Sequence, residues 1–164
     1  MAESTGGKVA LYRHCGDLLV AYNKILVAID LGKTSSSVIG KAADLAAAGR
    51  SELHVLHAVE PLSITYGGDI PMDFSSIQDE IYQQATDQLA AFCSKLDIPA
   101  EQRHLVMGRP EVEIANMADT LGVDLIVVGS HERYGLAVLL GSTTDGVLHS
   151  AGCDVLAVKV DTEN

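Results

Sequence analysis

The sequence has no tryptophan, and Phe and Tyr together reach only 4% of it. Proteins that read bases by stacking need aromatic platforms, so that mode of nucleic-acid binding is disfavoured. Positive charge is scarce too: 11 Lys and Arg stand against 22 Asp and Glu, a formal charge of −11. A field of that sign repels phosphate backbones and anionic headgroups, which argues against non-specific nucleic-acid binding and attachment to a membrane surface. Long apolar runs are missing. Those present, such as Leu125 to Val128, fall far short of the ~20 residues that span a bilayer, and none leads into a small-residue cleavage site. Cysteine occurs at positions 15, 93 and 153 only. An odd count without Cys-x-x-Cys spacing indicates neither a disulfide framework nor a zinc site. These absences lead to the expectation of a soluble, cytoplasmic protein with no nucleic-acid or membrane partner.

What is present suits one domain: 164 residues, 48% of them hydrophobic, are ample for a sizeable core. Composition shifts once. Residues 1–21 mix Gly, charge and a short apolar patch without periodicity, whereas the chain from Lys24 onward is strongly patterned. The expected organisation is an N-terminal extension over 1–21, its first nineteen residues dispensable, and a domain over 22–164.

Within that domain strands and helices alternate. Ile25 to Ile29 is a continuous apolar run, as expected of a strand buried on both faces. Thr34 and the serines after it offer caps for a helix through Ala48, which Gly49 ends. Leu53 to Val59 reads as a second strand, and Asp73 caps a long helix whose stripe includes Ile77, Ile81, Ala85, Leu89, Phe92 and Leu96. Arg103 to Met107 is a short polar strand suited to a sheet edge. Pro110 opens a helix facing inward through Ile114, Ala115, Ala118 and Leu121. Leu125 to Val128 is a fourth strand. A last helix has Leu140, Thr144, Val147, Leu148 and Ala151 on one face, and Val155 to Val160 closes the chain as a fifth strand. Such alternation predicts an α/β fold, a doubly wound parallel sheet with helices on both faces. Ligands of that architecture bind beyond the carboxyl ends of the strands, which directs attention to Asp30 and Gly129.

Several motifs fail on inspection. Gly32-Lys33-Thr34 follows a strand, but a phosphate loop needs a glycine where Val27 stands. His131-Glu132 starts a zinc-protease pattern whose second His position is Gly135. His54 and His57 lie three apart on a strand, so they face opposite sides and cannot share a metal. No Gly-x-Ser-x-Gly elbow occurs, and no acidic residue ends the third strand as a phosphoacceptor domain requires. The informative stretch is Gly129 to Gly135 followed by Gly141-Ser142-Thr143-Thr144 at the head of the last helix. Glycines that admit close backbone approach, a helix N-terminus and two hydroxyls suit an anion. Turn glycines and a helix cap explain the same residues equally well.

The blocks Lys24 to Asp30, Leu56 to Val59, Gly108-Arg109-Pro110, Asp124 to His131, Leu140-Gly141-Ser142 and Cys153 to Val158 together resemble the universal stress proteins of the bacterial A type, over Tyr22 to Val160. The resemblance implies a five-stranded sheet in the order 3-2-1-4-5, a homodimer paired through Val155 to Val160, and a cytoplasmic regulatory role in stress survival, with a protein partner the sequence does not name. Members divide into ATP binders and non-binders. Carried over residue by residue, the resemblance implies that Ala28 and Asp30 flank adenine and ribose, Ala58 meets the base, and Gly129, Ser130, His131, Gly141, Ser142 and Thr143 surround the phosphates of ATP, with Mg²⁺ accompanying it. Binders carry a second glycine where Glu132 stands, and here eight residues rather than nine separate that position from Gly141. A carboxylate there repels a triphosphate unless it turns away or holds the metal. The rival functions are a nucleotide hydrolase or transferase using the same cleft, and a dimeric protein-binding module. An enzyme is the less favoured reading, because only Glu132 and His131 offer themselves near the cleft as a base.

Overall fold

The computed structural model of the chain describes residues 22–62, 75–131 and 141–160. In chain order these form β1 (Lys24–Ala28), α1 (Ser35–Gly49), β2 (Glu52–Val59), α2 (Ser75–Ser94), a 3-10 turn (Ala100–Gln102), β3 (Arg103–Met107), α3 (Pro110–Leu121), β4 (Leu125–His131), α4 (Ser142–Ser150) and β5 (Asp154–Val160). The five strands make one sheet in the order β3-β2-β1-β4-β5, every neighbouring pair parallel. β1 is central because its run is apolar on both faces: Ile25 lies opposite Leu53 on one side and Leu125 on the other.

Side chains alternate across a strand, so each strand feeds two cores. Ile25, Val27, Val55, Leu125 and Val127 pack under Val38, Ile39, Ala42 and Ala46 of α1 and Leu89 and Cys93 of α2. Leu26, Leu56, Ile126 and Val128 pack on the other face under Ile114 and Ala118 of α3 and Val147 of α4. The expected doubly wound architecture is therefore the observed one. At the amino end of the sheet, Asp124 accepts hydrogen bonds from the backbone amides of Asn23 and Lys24 and from the Asn23 side chain, at 2.9–3.1 Å. That carboxylate fixes the start of β1 against the start of β4.

Local details depart from the expectations. Thr34 makes no side-chain cap, and the turn into α1 is instead held by Asp30, whose Oδ1 accepts from the Gly32 amide at 2.8 Å and the Ser35 hydroxyl at 2.7 Å. Gly49 remains helical, and the left-handed residue that ends α1 is Arg50, at φ 56°. Ile77, Leu96 and Leu148, expected to face inward, are exposed. Ile77 and Leu148 are on helices with narrow buried stripes, burial of α2 being confined to Ala85, Leu89 and Cys93, and Leu96 falls in the turn after α2 has ended at Ser94. Pro110 does take the first helical turn, and β3 does form an edge of the sheet. Asp73, Leu140 and the extension over 1–21 lie outside the described residues. Among the described residues no helix is long and apolar enough to cross a membrane.

Candidate functional site

Between β1 and β4 the chain order reverses, since β2 and β3 lie on one side of β1 and β4 and β5 on the other. Connections leave that point in opposite directions and a crevice opens at the carboxyl ends of the strands. Here it is a cleft of about 250 Å³. Its floor is hydrocarbon from Ala28, Ile29, Leu56 and Val128, and its walls come from Val38 of α1 and Pro110 and Ile114 of α3.

Of the residues singled out from the sequence, Ala28, Asp30, Ala58, Gly129, Gly141, Ser142 and Thr143 all line this cleft. Residues from three strands and one helix, distant in sequence, are thus brought together. Ser130, one step beyond Gly129, pairs with Lys159 of β5 and is not part of the cleft wall. The backbone of His131 ends β4, while its side chain, and residues 132–140 with the Glu132 carboxylate, lie outside the described residues.

The two glycines differ in what they are for. A Cβ on Gly129 would stand 3.1 Å from Cγ2 of Val38, so its small size serves the approach of α1 to β4. Gly141 has an ordinary backbone, φ −56° and ψ 155°, and a Cβ there would meet no described atom within 4 Å. Neither its backbone angles nor packing against the described residues requires glycine at that position. It opens α4, whose ladder starts with the Asp145 amide bonded to the Gly141 carbonyl at 2.9 Å. The amides of Ser142, Thr143 and Thr144 precede that ladder and carry the positive end of the helix dipole. The Thr144 hydroxyl donates to the Gly129 carbonyl at 3.0 Å and ties the helix end to β4. Among the described residues no three His, Cys, Asp or Glu side chains are grouped to hold a metal.

The sequence pattern says of His57 only that it cannot share a metal with His54, yet the structure places it in the lining of the cleft. Its Nδ1 lies 2.8 Å from the Ile29 carbonyl. A carbonyl only accepts, so Nδ1 carries the proton. Its position near the carboxyl end of a central strand was the available signal. Ser35, which the sequence suggests only as a helix cap, also lines the cleft, as does Thr144 of the informative stretch; both are nearly fully buried, with hydroxyls bonded to Asp30 and Gly129 across distances that spacing does not reveal.

The profile of the universal stress protein family matches residues 21–159. Universal stress protein A homolog 1 of Coxiella burnetii is 38% identical over 138 residues, covering 84% of this chain and 96% of that protein. A structure assigned to the universal stress proteins from Pseudomonas aeruginosa UCBPP-PA14 superposes at TM-score 0.63 with 29% identity over 84% of this chain, which spans about half, 47%, of that longer chain. A universal stress protein solved in complex with cAMP superposes at TM-score 0.54 with 25% identity, covering 85% of this chain and 98% of the other.

Proposed function

Because this chain belongs to the universal stress protein family, we propose that it is a cytoplasmic stress-response regulator whose cleft holds an adenine nucleotide, phosphates against the amino end of α4 and base over Ala28 and Ala58. The observation that carries the reading is Gly141, a glycine that its backbone angles and its packing among the described residues do not need, placed where the chain would pass closest to an anion on the α4 amides. A hydrocarbon floor with a few hydroxyls and one carboxylate is the usual make-up of a small-molecule pocket. The cAMP complex of a relative supports a nucleotide as the ligand class. Mg²⁺ would arrive on the phosphates, keeping water as most of its ligands.

Calorimetric titration with Mg²⁺–ATP, and separately with cAMP, tests this reading. Wild type should give heat of binding with at least one of them. Gly141→Val should remove it while melting as wild type does, because valine tolerates the backbone angles found there. Absence of heat with both nucleotides would return Gly141 to a plain turn and leave the protein-binding module as the better reading.

Pairing of two copies through β5 belongs to the same proposal. β5 is an edge of the sheet, with Leu156 of the strand and Leu148 of the adjacent α4 both exposed. An apolar edge with open amides and carbonyls is satisfied by its symmetry mate. Ala157→Pro removes a strand donor and should sediment as monomer, whereas a folded dimeric variant would move the interface elsewhere.

A further inference from the structure

The open question in the cleft is what distinguishes one base from another, since Ala28, Ala58 and the hydrocarbon floor offer shape without side-chain hydrogen bonds. His57 is the exception. Its Nδ1 proton is committed to the Ile29 carbonyl. Nε2 meets no hydrogen-bonding partner among the described residues and is not one of their buried unpartnered atoms, so water reaches it. Tethering through Nδ1 fixes the ring, and the tautomer it enforces makes Nε2 of the neutral ring a hydrogen-bond acceptor.

The position of this nitrogen also fits a base edge better than a phosphate. His57 is on β2 and α4 is tied to the end of β4, with β1 between them. Two strand spacings separate those sites by about 10 Å. A ligand touching both needs an anionic group at one end and a hydrogen-bonding edge at the other, as a nucleotide has.

We propose that His57 is the specificity-determining residue of the cleft, its neutral Nε2 accepting from the amino group of an aminopurine and rejecting an oxo group at the same place. This rests on the nucleotide reading above. Asp30 is the one other charged side chain lining the cleft among the described residues, and α1, α3 and α4 present only hydroxyls and hydrocarbon. The carboxylate of Asp30 turns its Oδ1 towards Gly32 and Ser35.

The test compares the affinities of ATP and ITP, each with Mg²⁺ at pH 8; the two differ by amino against oxo at C6 of the purine, with N1 changing from an acceptor to an N–H. Wild type should favour ATP by about tenfold, the effect of one hydrogen bond replaced by two facing acceptors. His57→Asn can keep a donor near the Ile29 carbonyl while removing any group at Nε2, and should bind both nucleotides alike. If that variant does not fold, the wild-type ¹⁵N resonance of Nε2 decides: it should move on addition of ATP, and an unmoved resonance overturns the assignment. Equal wild-type affinities, or discrimination that survives in His57→Asn, would overturn the role of His57 and leave nucleotide binding intact. Failure of ATP, ITP and cAMP alike to bind would end both readings.

Discussion

Nδ1 of His54 on β2 lies 2.9 Å from Nε2 of His104 on β3, the rings stacked at 5.2 Å between centroids. The other nitrogen of His54 stands 3.0 Å from Glu52 without hydrogen-bond alignment, and Lys24 reaches the same carboxylate at 3.5 Å. His54 is nearly fully buried. A carboxylate beside Nε2 keeps a proton on it, so one further proton shared between the facing nitrogens completes the bond. A second extra proton would set two N–H groups against each other.

Stability should therefore fall on mild acidification. Burial, and then the neighbouring His54, lower the proton affinity of His104 below that of an ordinary imidazole. The unfolded chain then binds more protons than the folded one in this range, so the contribution is fully present above about pH 6.5 and is lost as pH falls below it. Urea midpoints measured from pH 7.5 to 5 should decline for wild type and decline less for His104→Gln, whose amide can still donate to His54. Parallel profiles for the two proteins would sink the idea.

Asp124 predicts a second, lower window. Burial opposes its charge, but the amides of Asn23 and Lys24 outweigh burial and hold the carboxyl below its usual range. Its contribution is present above about pH 3.9 and lost as pH falls through the lowered value. Asp124→Ala should lose about 1–2 kcal/mol at pH 7, towards the low end because most of the bonds are exposed, and should titrate less steeply in acid. Unchanged urea stability would show that solvent replaces these bonds at no loss.

The crossing of α3 and α4 depends on Gly146. A Cβ there would lie 2.7 Å from Cβ of Glu111, an atom fixed to its own backbone and unable to swing aside. Gly146→Ala should lose about 1–3 kcal/mol through overpacking, although alanine is the better helix former by about 1 kcal/mol. Equal or higher melting temperature would mean that the two helices slide apart without loss.

Arg50→Gly should stabilise the chain by about 0.5–1 kcal/mol. Arg50 sits in the left-handed region at φ 56°, where its Cβ is strained and glycine is not. The two chains compared in urea decide it, and a loss would show that the Arg50 side chain makes up for the strain.

Much of the fold was legible because it rests on local pattern. Apolar runs such as Leu125 to Val128 are buried as expected, and alternation of strand with helix announces a doubly wound parallel sheet, while the order of its strands was implied only by the family resemblance. Helix ends were read less well. Gly49 looked like the terminator, but the left-handed turn falls on Arg50, because helix termination follows where the next strand must begin and not the glycine alone.

At the site, sequence determined which strand ends and which helix start face one another, and so brought Asp30, Gly129, Gly141 and Ser142 to attention. Tertiary structure decided what each does. That Gly129 makes room for Val38 while Gly141 makes room for nothing among the described residues is a matter of neighbours from other elements. His57 became a cleft residue through a carbonyl 28 positions away, His54 met His104 across 50 positions, and Asp124 met Asn23 across 101. Periodicity fixes which face of an element is buried, because burial depends on a residue and its near neighbours in the chain. A hydrogen bond depends on distance and angle to one particular atom, and across such separations only the packed sheet supplies them.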